Sequence, residues 1–280
     1  MICPKTDFEK DLISYLKKNV INFSSEEISN IYSFWKKQFD KLPAELSTEV
    51  KIISEKCSIS ENQYLPKESY LLGIDFPTWF NTPEDKEFKI MVLGIDPLRN
   101  EKAFKCMKAD VDNEVIIGTP YALHMSNMRA GRTKQYWNFI NLLSENNFVY
   151  LTDIYKTFFY TDKSKKERSY NYYKNNLLHS QKDLLEEEIK LINPDLIITF
   201  GAETYFQLMD KRAPKLTSYV ESNIIEFMGK PVLPMIHLSG SVRQQTKINF
   251  LKENKINVID KNFGQGYFQI INKYLGKIKR

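Results

Sequence analysis

From Lys89 onward the chain alternates between two textures. Four short, continuous apolar runs stand out: KIMVLGI (89–95), FVYLTDIY (148–155), DLIITFG (195–201) and PVLPMIHL (231–238). Between them apolar residues recur every three or four positions, in TKQYWNFINLL (133–143), SQKDLLEEEIKLI (180–192) and the stretch after Ser241. An unbroken apolar run predicts a strand buried on both faces, and spacing near 3.6 predicts an amphipathic helix. Strands alternating with helices predict a three-layer α/β/α fold around a central four-stranded parallel sheet. Residues 5–40 read as helical. Ile28, Ile31, Trp35 and Phe39 follow SSEE at Ser24–Glu27, a capping-box pattern. Residues 41–85 are mixed, with Pro43, Pro66, Pro77 and Pro83 interrupting any long element. The expected organisation is a mostly helical N-terminal extension, residues 1–85, followed by an α/β/α domain, residues 86–280.

Composition narrows the class. The chain has 280 residues, enough for one substantial domain with an appendage or for two small ones. No apolar run approaches the roughly 20 residues of a membrane span. Charges at Lys5, Asp7, Glu9 and Lys10 come too early for a signal peptide. A cytoplasmic protein with no membrane association is expected. Cys3, Cys57 and Cys106 are scattered and suggest neither a disulfide framework nor a zinc site, so no metal and no cofactor are expected. The net charge of +5 suits a polyanionic partner without arguing for one.

Ligands of parallel α/β folds gather at the carboxyl ends of the strands. Asp96, Asp153, Gly201 and His237 all fall at or just past predicted strand ends. Each has a plainer reading as well. Asp96-Pro97 suits a turn; Asp153 suits a helix N-cap or a partner for Lys156; Tyr121 suits the core; and a lone histidine is more often structural than catalytic. Gly-Ile-Asp occurs twice, at 73–75 and 94–96. Only the second follows a strand-like run and precedes proline. Asp75 has no strong strand before it, and Phe76–Phe80 reads as an aromatic loop packing the N-terminal segment onto the core. DKSKKERSYNYYKNN (162–176) mixes Lys163, Lys165, Lys166 and Arg168 with Tyr170, Tyr172 and Tyr173. It reads either as a solvated loop or as a contact for nucleic acid.

Taken in order, these pieces resemble the uracil-DNA glycosylase superfamily. VLGIDPL resembles its first motif, a strand, a glycine and an acid before proline. GTPY (118–121) resembles the Gly-Arg-Pro-Phe of the thermostable, iron–sulfur type, and AGRTKQYWNFINLL the helix after it. VYLTDIYK (149–156) resembles Val-Tyr-Ile-Thr-Asn-Val-Val-Lys, INPDLIITFGAETYFQL the Pro-Asp-hydrophobic-Leu-Gly-Ala stretch, and PMIHLSGSVR the His-Pro-Ser loop ending in arginine. The likeness spans roughly residues 88–255, in six ordered motifs.

The resemblance implies a monofunctional DNA glycosylase that flips a base from single- or double-stranded DNA and acts as a monomer. Asp96 would stabilise the cationic sugar and orient water. His237 would donate a hydrogen bond to the departing base. Tyr121 would stack on that base, with Gly94, Ile95, Leu98 and Asp153 around it. Ser239, Ser241, Val242 and Arg243 would enter or grip the duplex, and Lys165, Lys166 and Arg168 would meet its backbone.

Four departures from the family pattern matter. One cluster cysteine falls on Gln181, so no iron–sulfur cluster is expected. His-Pro-Ser is here His237-Leu238-Ser239. Leu98 stands where the common enzymes have a tyrosine that excludes the thymine methyl. Asp153 replaces the asparagine that reads the base, and an ionised carboxylate only accepts hydrogen bonds. Two other classes fit the same residues: a catalytically altered nucleic-acid-binding protein, and a hydrolase of free nucleosides or nucleotides.

Overall fold

The computed structural model describes residues 7–39, 50–53, 69–84, 86–95, 114–161, 177–211, 224–257 and 262–279. Its helices are α1 (Asp7–Asn19), α2 (Ser25–Phe39), α3 (Ser126–Ala130), α4 (Lys134–Ser144), α5 (Leu177–Ile192), α6 (Ala202–Met209), α7 (Gln244–Glu253) and α8 (Phe263–Ile278). Its strands are β1 (Val50–Ile53), β2 (Ser69–Asp75), β3 (Thr78–Phe80), β4 (Lys89–Gly94), β5 (Glu114–Gly118), β6 (Phe148–Asp153), β7 (Thr157–Thr161), β8 (Leu196–Phe200), β9 (Ile225–Phe227) and β10 (Lys230–Met235). None of these helices is long and apolar enough to cross a membrane.

The four apolar runs become β4, β6, β8 and β10. They lie side by side and parallel, in the order β6-β4-β8-β10. The sheet has six strands rather than the four expected, because β3 and β9 add antiparallel edges. Both were hidden by their length of three residues, too short to show a period.

The pairing register sorts the core into two faces. Ile90, Val149 and Leu196 share one face; Met91, Tyr150 and Ile197 share the other. On the first face α4 and α8 pack, with Phe139 edge-on to Phe200 at 5.6 Å and Tyr267 stacked on it at 6.3 Å. Gly264 lets these two helices touch, since a Cβ there would sit 2.9 Å from the Gln135 carbonyl oxygen. On the second face Phe8 of α1 meets Trp79, Phe148 and Tyr150 edge-on. Helix α5 joins it there, with Glu188 accepting from the Tyr150 hydroxyl. The α/β/α layering is that predicted.

The N-terminal helices belong to this packing. The capping box forms reciprocally: the Ser24 N–H donates to Glu27 at 2.8 Å, and the Glu27 N–H donates to Ser24 Oγ at 3.2 Å. Helix α2 then wraps the β3 edge. Tyr32 lies 4.9 Å from Trp79 and its hydroxyl donates to the Pro77 carbonyl, while Phe39 meets Phe80 at 5.7 Å. Trp79 and Phe80 point to opposite faces of the sheet, so α2 covers the edge between them. An uncovered edge strand would invite pairing with other chains.

The expectation for Asp75 and Phe76–Phe80 needs correcting. Asp75 ends a real strand, β2, and Thr78–Phe80 is strand β3 rather than a loop. Strand β2 belongs to a second, four-stranded sheet, β1-β5-β2-β7, that the sequence did not announce. This sheet is tied on just beyond β6, where the Asp75 N–H donates to the Lys156 carbonyl at 3.1 Å. A register shift between Leu71 and Gly73 breaks the strand's period, which is why it went unread.

Candidate functional site

Strands β4 and β6 end level with each other, Gly94 beside Asp153. A Cβ on Gly94 would lie 1.9 Å from Asp153 Oδ1 and 3.7 Å from the Tyr121 hydroxyl. Residue 94 is glycine because a carboxylate from the next strand takes that space. Half-buried Ile95 continues the pairing past the strand end, its carbonyl accepting from the Tyr155 N–H at 3.0 Å. Asp153 is almost fully buried. Lys156 anchors it from below: its ammonium donates to the Asp153 carbonyl at 2.8 Å, to Thr152 Oγ1 and to Glu188, with which it forms a fully buried ion pair.

Tyr121 enters from the turn Pro120–Ala122. Its φ of 59° and that of Ala122, 52°, put two successive side-chain-bearing residues in the left-handed region. Each costs about 1–2 kcal/mol there, and such strain survives only where the surroundings impose it. The Tyr121 hydroxyl donates to the Leu93 carbonyl at 3.1 Å, and its ring stacks on Tyr136 with centroids 4.2 Å apart. Burial, then the neighbouring Tyr136 and Asp153, push its phenol well above the ordinary range.

His237 lies two residues past β10, its ring 6.4 Å from that of Tyr121. Gly201, at φ 93°, passes beneath it; a Cβ there would be 3.6 Å from His237 Cδ2. The Ser239 N–H donates to His237 Nδ1 at 3.2 Å. The Tyr136 hydroxyl lies against the same imidazole and accepts the Leu238 N–H at 3.1 Å. Lys247 of α7 closes the loop from behind, donating to the Leu238 and Ser239 carbonyls at 3.1 and 2.7 Å. It lies 5.3 Å from the centre of the Phe263 ring, and burial lowers its pKa. Further along, Ser239 and Ser241 hydroxyls bond each other, Val242 is half-buried, and Arg243 is exposed at the start of α7.

Gly94, Ile95, Tyr121, Asp153 and His237 are thus brought to one end of the sheet, with the 239–243 loop beside them. Asp96, Leu98, Lys165, Lys166 and Arg168 lie outside the described residues. Among the described residues no group of three His, Cys, Asp or Glu side chains could hold a metal ion.

Tyr136 and Lys247 were missed. Tyr136 sits on the apolar stripe of α4 with Phe139, Ile140 and Leu143, and aromatics at that spacing read as core. Lys247 carried a fainter signal: it is a cation on the buried stripe of α7, with Phe250 and Leu251.

Residues 82–259, well over half of the chain, match the family model of the uracil DNA glycosylase superfamily. The chain belongs to that superfamily. The matched span takes in all four parallel strands and every predicted site residue. A search of curated proteins found no match to this chain. Superfamily members are DNA glycosylases, hydrolases that act on DNA in base-excision repair, and a glycosylase-like function on DNA follows for this chain.

Proposed function

We propose that this protein is a monofunctional DNA N-glycosylase that extrudes a deaminated or damaged base, uracil first among them, and hydrolyses its bond to the sugar. The observation that carries this reading is one convergence: Gly94, Tyr121, Asp153 and His237, from four separate segments, meet at the carboxyl ends of parallel strands. Extrusion is required because the glycosidic bond is inaccessible within the stacked duplex.

In the proposed reaction the C–N bond breaks with its electron pair leaving on the base. Water adds to the anomeric carbon and loses a proton. Asp96 opposes the positive charge on the sugar. His237 stabilises the negative charge on the base: with Nδ1 accepting from the Ser239 N–H, the ring proton of the neutral imidazole belongs on Nε2, the nitrogen that would donate to a base carbonyl. Tyr121 supplies the stacking face. Asp153, held beside Gly94, reads the base edge. As an acceptor it suits uracil N3–H and disfavours O4, so donor-rich edges, those of deaminated purines or modified pyrimidines, compete as substrates.

The test is base release from single- and double-stranded oligonucleotides, each carrying one lesion, with Asp96→Asn and His237→Ala as controls. Release by the wild type, reduced by about a hundredfold or more in either variant, is the expected result. Wild-type rates no higher than those of the variants on every lesion would overturn it. Tight lesion binding without release would instead identify a binding protein on this scaffold.

A further inference from the structure

We infer that Tyr136 is a positioning residue for His237, coupling the orientation of its imidazole to the aromatic floor on which a flipped base would rest. The kinetic part of this inference rests on the glycosylase reading; the structural part does not.

Three contacts converge on one side chain. The Tyr136 hydroxyl lies in hydrogen-bond contact with the His237 imidazole, closer to Nδ1 and 3.1 Å from Nε2. The same oxygen accepts the Leu238 N–H at 3.1 Å. The Tyr136 ring stacks within 16° of parallel on Tyr121 and stands edge-on to His237 at 5.3 Å.

The hydroxyl's contacts restrain both the loop and the ring. A tyrosine hydroxyl has one hydrogen and also accepts. Its oxygen takes the Leu238 N–H. The hydroxyl also lies against the imidazole, close to both of its nitrogens. Burial holds the phenol in its protonated form, so the donor persists at neutral pH. Nδ1 already receives the Ser239 N–H and must be an acceptor. Ser239 thus sets the tautomer with its proton on Nε2, and Tyr136, packed against the ring, prevents it from turning about χ2. It also anchors the peptide after His237, leaving the histidine little freedom.

The rest of the site explains why such an anchor is useful. His237 follows β10 in a loop with leucine after the histidine and glycine at 240, neither of which stiffens the backbone as proline would. Rigidity must come from outside the loop. Lys247 supplies it to the carbonyls of Leu238 and Ser239, and Tyr136 supplies it to the Leu238 N–H and to the imidazole.

Tyr136→Phe tests this, because it keeps the stacked ring and removes only the hydroxyl. In the full-length chain labelled with 15N-histidine, the wild-type His237 Nδ1 resonance should report an unprotonated, hydrogen-bonded nitrogen. In Tyr136→Phe it should move toward the value of a ring exchanging between tautomers. Single-turnover base release should fall roughly 10- to 100-fold, the range seen when a metal-binding histidine loses its outer partner. Affinity for the lesion duplex should change by less than about threefold, because the stack on Tyr121 remains. An Nδ1 resonance and a release rate both unchanged, with only a lowered melting temperature, would make Tyr136 a purely structural residue and overturn the inference. If Tyr136→Phe does not fold, 3-fluorotyrosine at 136 preserves the shape and strengthens the donor, and the Nδ1 resonance should shift; indifference to the fluorine overturns the inference equally. Should the wild type release no base from any lesion, the glycosylase reading fails, while the imidazole measurement still decides what Tyr136 does.

Discussion

At Gly94 a single hydrogen atom decides whether Asp153 keeps its place. A methyl group there would lie 1.9 Å from the carboxylate, far inside contact distance. Gly94→Ala should therefore push Asp153 aside while leaving the sheet paired. Since a displacement of about 1 Å in a reacting geometry costs on the order of a hundredfold, base release should drop by about that factor, with far-ultraviolet circular dichroism unchanged. Asp153→Asn asks a different question of the same spot. An amide offers both a donor and an acceptor, so the ranking of lesions should shift toward uracil. A lesion panel giving the wild-type ranking would end the argument from hydrogen-bond complementarity. Both residues were visible in the sequence as strand ends within ordered motifs. Tyr136 was not, because its helical spacing describes a core aromatic correctly and says nothing of a hydroxyl meeting a histidine 101 positions away.

Among elements, the parallel strands were the most legible. Each is buried on both faces, so its sequence is one unbroken apolar run with an obvious end. The edge and flanking strands were not: β3 has three residues and β2 is interrupted at Gly73. Helix α2 announced its start through Ser24 and Glu27, which cap each other in the structure. Ser24→Ala should cost about 1 kcal/mol of stability, measurable by urea unfolding. Because α2 covers the β3 edge, the same variant should also aggregate faster at equal protein concentration, measurable by light scattering during mild heating. What the sequence could not disclose was that this helix closes an edge, since amphipathicity records that a face is buried but not what buries it.

For the molecule as a whole, tyrosine is a conspicuous load. Burial raises the phenols of Tyr32, Tyr121, Tyr136 and Tyr150 well above their ordinary value, those of Tyr15 and Tyr267 also upward, and that of Tyr274 to about 12. A phenol raised in the folded state is protonated more readily there than in the unfolded chain, where it ionises near 10. Its contribution is complete below pH about 10 and is lost as pH rises through the folded values. Each such tyrosine lowers stability as pH rises over that window. The protein should unfold cooperatively above pH about 10, with the tyrosinate absorbance of these residues appearing together with loss of circular dichroism. Absorbance rising fully before the fold is lost would contradict this.

By itself the sequence determined the four core strands and the helices between them, the parallel core, the residues standing at its carboxyl ends and the family they resemble. These are local properties, written in the period of burial and in the residue that follows each run. Only the tertiary structure decided the second sheet that ends at Asp75, the edge strands, the wrap of α2, and the anchoring of the His237 loop by Tyr136 and Lys247. Those depend on which surfaces meet when the layers stack. A hydrogen bond across a hundred residues leaves no period in the chain, because packing in three dimensions chooses the partner.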